Sequence, residues 1–415
     1  MNESDSSYVI ALRVDPLPIM HKKWNYKGPS YFIKYGIKFT RTAMMTLSIA
    51  IFVCISGCQK SLIKDVSSFK AQSTWYWGGD SGRRGLSPEE IRPPLQLAWI
   101  YKANGAVGEA IAIADSFIFF GTKSGEITVL PLRTGKSART LKIQKKVNVT
   151  CLVDGHRLIV VQRWRTPSLR SLDISTGEVL WTSDLGPIVG EPLLTGTQLF
   201  GGNEWGIVFT VNSGNGEVIW ETDLGKPVRG SIARSGETLA CVTDGGMVWA
   251  LSSLSGNVIW KRQLLGSISA TPVLTENRLF IGTTDGVFYG LSLSDGSVEW
   301  QRKVRGSVYQ KAASDEETVY FGTTQGVLYC LDSRDGSEIW HFDSESVIGT
   351  SPLISGRWIY FGTLDRILYA LERKTGLETW RFRTRGRIRS SPVVWKGMLI
   401  LASEERFVYG FIEKT

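Results

Sequence analysis

Five cysteines and three histidines in 415 residues leave little for metal or redox chemistry. Cys54 and Cys58 fall in an apolar leader, and Cys151, Cys241 and Cys330 are odd in number and far apart. They form no C-x-x-C pair and no haem motif, and their expected fate is burial as small hydrophobes. His21, His156 and His341 have no metal-ligand spacing. Neither a G-x-S-x-G elbow nor a phosphate loop occurs, so hydrolase and nucleotide-binding chemistry lose their support. No apolar run reaches the roughly 20 residues that a transmembrane helix needs. A dense basic stripe is missing too. Residues 1–57 hold seven Lys/Arg against three acids, and the remainder holds 41 against 36, which gives no case for nucleic acid.

What the chain does have is glycine and aromatics. With 44 Gly, 15 Trp, 13 Tyr and 17 Phe, it reads as many short strands joined by tight turns. The hydrophobic share of 42% and the charged share of 21% are those of a folded protein.

Residues 43–55 read AMMTLSIAIFVCI and follow Lys34, Lys38 and Arg41, the charged-then-apolar order of a secretory signal. Ile55-Ser56-Gly57-Cys58 then resembles a bacterial lipobox, which implies cleavage before Cys58 and lipidation of its thiol. A buried strand with an incidental cysteine is the alternative. The stretch ahead of the signal is long, so Met20 is a candidate start. Gln59 in place of Asp implies, by analogy with enteric lipoproteins, sorting to the outer membrane. The expected organisation is an export signal over 1–57, a lipidated tether and leader over 58–94, and a repeat domain over 95–415.

Self-comparison sets the fold of that domain. Tryptophans stand at 181, 220, 260, 300, 340 and 380, spaced 39, 40, 40, 40 and 40 residues apart, each with Gly four residues earlier. Trp99 and Arg139, the latter four after Gly135, extend the series to eight marks. One period reads as four strands, for example 271–274, 278–281, 287–291 and 297–300, with Asp-Gly turns that favour hairpins. Four strands per period of about 40 is the arithmetic of a β-propeller blade. The expected fold is therefore all-β, an eight-bladed propeller. The last unit ends one strand short, and residues 95–101 supply that strand, pairing near Ile412 to close the ring. Trp99, Trp181, Trp220, Trp260, Trp300, Trp340 and Trp380 are expected to wedge between blades.

Tyr369-Ala370-Leu371 with Lys374-Thr375-Gly376-Leu377-Glu378-Thr379-Trp380 resembles the Y-A-L-D-x-x-T-G-x-x-x-W repeat of pyrroloquinoline-quinone (PQQ)-type propellers. The signal, the lipobox and the stretch from Trp181 to Trp220 are most similar to the BamB-type lipoproteins of that family. That resemblance implies a non-catalytic envelope scaffold with no cofactor. It would be monomeric within a hetero-complex, held to the membrane by its lipid at the periplasmic face of the outer membrane. The implied partners are a barrel-assembly membrane protein and unfolded outer-membrane clients. The segment Trp75-Tyr76-Trp77-Gly78-Gly79-Asp80 with Gly85-Leu86-Ser87 instead resembles the leader of generic quinoprotein-like propellers. Two alternatives follow: a periplasmic quinoprotein dehydrogenase using PQQ and calcium, and a surface or sensor propeller binding another envelope protein. Against the enzyme, no two cysteines are adjacent and most blade acids occupy turns (Asp244, Asp285, Asp295, Asp335).

By the same resemblance, partner contact falls on the loops 185–191 and 224–230, through Ile188, Val189 and Arg229. Arg381, Arg383, Arg385, Arg387 and Arg389 alternate along the chain and read either as a charged blade edge or as a docking patch for an acidic partner or anionic lipid. Under the docking reading Arg385 and Arg387 act together with Arg229, Lys303 and Arg305.

Overall fold

A computed structural model describes residues 74–75, 80–136, 138–143, 149–163 and 165–414. The described residues form strands and turns with no helix. Eight antiparallel sheets follow one another around a ring, each a meander, the last completed by a strand from the other end of the chain. Blade 1 carries a fifth short strand, Thr74–Trp75, paired to Val107–Ala114. In blade 8 the outermost strand is Leu95–Lys102, which pairs antiparallel with Phe407–Glu413 from Leu95↔Glu413 to Lys102↔Phe407. Head and tail of the ring thus share one sheet, and the three-stranded final repeat has no unpaired outer ladder facing that strand.

The repeat motif has a specific geometry. The indole N–H of Trp99, Trp181, Trp260 and Trp300 donates to the carbonyls of Leu132, Ser213, Leu293 and Ser333, each in the next blade, over 2.8–3.0 Å. Trp220 and Trp340 do the same at 3.2 and 3.0 Å. The glycine of the next Gly-x-x-x-Trp lies flat against that ring: a Cβ on Gly296 would sit 2.5 Å from Trp260, and the φ of +69° is one that L side chains rarely adopt. Each glycine is required by its neighbour's tryptophan as much as by its own turn. Arg139 breaks the pattern in blade 1, and a Cβ on Gly177 of blade 2 would meet nothing within 4 Å. Trp380 has no such glycine to cover, because the outer strand of blade 8 carries Leu95 four residues before Trp99. It packs edge-on against Phe411 instead.

The core is a chain of interfaces between neighbouring blades rather than one central mass. Phe280 and Phe288 of blade 5 pack with Phe321 and Tyr329 of blade 6, and Phe288 stacks on Phe321 at 3.8 Å. Trp99, Val393 and Ile400 of blade 8 pack with Ile111 and Phe120 of blade 1. Apolar residues on both faces of the middle strands follow from this sandwiching.

Candidate functional site

Four crossings per blade sort the connections onto two faces. Turns between first and second strands, and between third and fourth, lie on one end, here the hairpin face. Turns between second and third strands, and the links from blade to blade, lie on the opposite loop face. Innermost strands surround a channel between them.

The leader closes the channel at the hairpin face. The carbonyls of Ser81, Gly82, Arg84 and Gly85 accept from Arg234, Leu274, Ser314 and Ile354, the inner strands of blades 4, 5, 6 and 7 in turn. The Glu89 carboxylate then accepts from Lys396 and Gly397 of blade 8. A Cβ on Gly82 would stand 2.3 Å from the Leu274 carbonyl, so this approach needs glycine. Arg83 is 2% exposed and crosses the channel. Its guanidinium donates to the carbonyls of Ile232 and Glu191 and lies 3.8 Å from the Glu191 carboxylate, while its own carbonyl accepts from Lys311 Nζ at 3.2 Å. Lys311 is itself buried, and burial, reinforced by the nearby Arg83 cation, pushes its ammonium down to about 7.

Lys311 interrupts a belt of hydroxyls. The N–H of Glu191 donates to Ser231 Oγ, that of Ser231 to Thr271 Oγ1, and that of Ser351 to Ser391 Oγ, each 40 residues on and one blade round. At the equivalent position of blade 6 the belt gives way to the ammonium that holds the leader. Above this floor a cavity of about 530 Å³ opens to the loop face between blades 8, 1, 2 and 3. Lys123, Arg163, Arg389, Glu191 and Glu404 line it among apolar walls.

That cavity presents no set of free carboxylates for calcium. Calcium requires several free oxygen ligands. The two acids lining the cavity face arginines instead, Glu191 with Arg83 and Glu404 with Arg389. Among the described residues no three His, Cys, Asp or Glu come together as a metal cage. Cys151, Cys241 and Cys330 are free and buried, with burial pushing the thiols of Cys151 and Cys241 up to about 12.

The residues expected to meet a partner are placed unequally. Ile188 and Val189 are 1% and 8% exposed, because the inner strand Ile188–Thr195 begins where the sequence reads as loop. This corrects their assignment as contact side chains: both are buried, with Ile188 between blades 2 and 3 and against the channel cavity. Arg229 is on the loop face, bound bidentate to Asp244 at 2.6 and 2.8 Å, and it holds that carboxyl below its ordinary range. Arg305 lies 3.5 Å from Asp343, and Lys303 donates to the Asp285 carbonyl. The arginine run is exposed but largely neutralised: Arg381, Arg383 and Arg389 pair with Glu378, Asp365 and Glu404. Arg385 lies 5.0 Å over the Phe407 ring, and Arg387 is exposed beside it. Cys58 and the signal lie outside the described residues.

Sequence reasoning missed Trp205. It is 65% exposed on the loop face of blade 3, seated on Gly186, where a Cβ would come within 2.5 Å of its ring. The adjoining Gly206 packs on the Lys226 backbone and Gly246 on the Gly266 carbonyl, so loops 185–191, 203–206, 224–230, 244–246 and 264–267 form one surface. Leu265, 79% exposed, and Tyr309, 50% exposed, extend it. The signal was present as Asn203-Glu204-Trp205-Gly206, a tryptophan where other blades carry Asp285 or Gln325.

No curated protein sequence matches the chain. Among solved structures it is similar to BamB from Moraxella catarrhalis, at 17% identity and a TM-score of 0.63 over 77% of this chain and 99% of that one. The quinohemoprotein alcohol dehydrogenase ADHIIG from Pseudomonas putida HK5 shares 12% identity at a TM-score of 0.69, covering 83% of this chain and 80% of that one. A europium-containing methanol dehydrogenase shares 12% at 0.67, covering 81% and 98%. At such identities these likenesses speak for the fold alone. Residues 96–204, 204–341 and 324–415 each match the family model described as outer membrane protein assembly factor BamB, and the chain belongs to that family of PQQ-like propellers.

Proposed function

We propose that this protein is a non-catalytic scaffold of the bacterial envelope, lipid-anchored through Cys58 at the periplasmic face of the outer membrane. In this reading it docks a barrel-assembly membrane protein and assists insertion of outer-membrane β-barrel proteins. The observation that carries the docking is the loop-face surface of blades 3 to 6. Exposed Trp205, Leu265 and Tyr309 surround the bidentate Arg229–Asp244 pair on a rigid ring. Buried aromatic and arginine anchors dominate protein–protein contacts, whereas large apolar side chains left in water are otherwise selected against. Membership of the BamB family supplies the class of partner. Open outer strands such as Val218–Asp223 and Val258–Gln263, with Ile219 and Ile259 exposed, offer a second mode, in which an extended client adds as a further strand.

Crosslinking in native membranes followed by mass spectrometry tests the reading. Wild-type protein is expected to recover the barrel-assembly protein, and Trp205→Ser with Leu265→Ser to lower recovery at least ~10-fold, the loss of a hot spot worth about 2 kcal/mol. Recovery unchanged by the double substitution removes the docking surface, and absence of any barrel-assembly partner removes the function.

A further inference from the structure

We infer that the channel cavity between blades 8, 1, 2 and 3 is a binding site for a compact carboxylate with an aliphatic body. At the position just past the second strand, the repeat carries a cation only on the arc that surrounds this cavity, at Lys123 and Arg163. Just past the second strand, blades 5, 6 and 7 carry the uncharged Thr284, Thr324 and Leu364, blade 4 carries Asp244, which is held by Arg229, and blades 8, 1, 2 and 3 carry Glu404, Lys123, Arg163 and Glu204. Departures from an otherwise regular pattern concentrate where a protein functions. Of these charges, Arg163 pairs with Glu204 at 3.1 Å, and Glu404 pairs with Arg389. Lys123 is the cation left over, exposed at the cavity wall with no ion pair among the described residues.

A second observation lies deeper. Thr122, Thr283 and Thr363 close the second strand of their blades by donating a hydroxyl to the carbonyl four residues on, at 3.2, 3.1 and 3.3 Å. Ser403 holds the same position in blade 8, is 2% exposed and lines the cavity, yet its Oγ has no partner. A buried hydroxyl left so is costly, and an accepting oxygen of a ligand relieves it. Val107, Val161, Ile188 and Ala402 supply apolar wall, and the Arg83 crossbar below leaves access only from the loop face. One anionic group between Lys123 and Ser403, with an aliphatic remainder against the wall, matches this lining. A free organic acid and the C-terminus of an extended polypeptide share that chemistry.

Calorimetric titration of the full chain with 4-methylpentanoate, its amide, and a tripeptide ending in leucine with a free or amidated C-terminus separates these sources. At least one acid is expected to bind saturably and its amide at least ~10-fold more weakly, since a charge-assisted bond is lost. Binding of the peptide acid alone identifies a polypeptide end, and binding of the small acid identifies a free ligand. Lys123→Glu is expected to weaken binding at least ~10-fold, and Ser403→Ala about 5-fold. Lys123→Glu should keep the unfolding temperature of the ligand-free protein, Lys123 being exposed, and Ser403→Ala should keep or raise it, since the Oγ it removes is buried without a bond. No saturable binding of either acid, equal binding of acid and amide, or affinity unchanged in Lys123→Glu overturns the assignment. Neither variant touches the Trp205 surface, so the outcome is independent of the docking reading.

Discussion

Replacing Lys311 by Met should change how stability depends on pH. In the native protein the ammonium is buried beside Arg83, and burial holds its pKa near about 7 against 10.5 for a free lysine. Asp80 and Glu191 oppose that shift without cancelling it. Between these two values the unfolded chain binds a proton that the folded chain has released, so stability must rise with pH across that window. The slope approaches one proton, about 1.4 kcal/mol per pH unit, so moving from pH 7 to pH 9 adds about 2–3 kcal/mol from this group. Below pH 7 both states carry the proton and the group contributes no slope, only the full burial penalty. Lys311→Met removes the titration along with the bond to the Arg83 carbonyl. Urea unfolding followed by tryptophan fluorescence, run for both proteins at pH 7 and pH 9, isolates the effect as a double difference in which other titrating groups cancel. Stability of the wild type relative to the variant should grow by about 2–3 kcal/mol over that interval. Parallel pH dependence in the two proteins would refute the reasoning and place Lys311 in water.

Trp300→Ala removes a buried indole and its bond to Ser333, and calorimetry should show a loss of about 3–5 kcal/mol, whereas Arg139→Ala at the decayed position should cost under about 1 kcal/mol; equal losses contradict the wedge geometry. Cys58→Ala, or globomycin treatment, should leave a precursor of higher mass and release the protein from membranes, and an unchanged precursor and membrane association remove the anchor. Arg385→Glu with Arg387→Glu should weaken partner capture several-fold in low salt if those exposed guanidinium groups steer docking, an effect that 0.5 M salt erases because the Debye length falls to about 4 Å; capture unchanged in low salt assigns the run to a solvated blade edge.

The ring was legible because its cause is local and repeated. Gly-x-x-x-Trp at 40-residue spacing encodes a contact between neighbours, and seven neighbours in a row leave only closure for the spare strand Leu95–Lys102. Arg139 was legible as a gap for the same reason. The reading failed where one residue's role depends on distant chain. Ile188 and Val189 look like loop beside Gly186-Pro187, yet pairing with Asn203 and Gly202 draws them into the strand and buries them. The leader's crossing of the channel left no periodic trace, since Arg83 meets Glu191 over 108 residues and Lys311 over 228. Trp205 was visible as a departure from turn chemistry, but only the seat on Gly186 shows that its ring stands out in water.

The leader's ladder has a mechanical side. If the chain is held at its amino end, as proposed, and bound to something else at its loop face, the pull passes the two-residue strand Thr74–Trp75 on blade 1 and then runs from residue 80 onward. Tension arriving there is taken up by Ser81, Gly82, Arg84 and Gly85, each bonded to a different blade, before any reaches the seam at Leu95. Four bonds in four sheets share the load at once, so the ring resists as a whole where a tether fastened to one strand would peel that strand away.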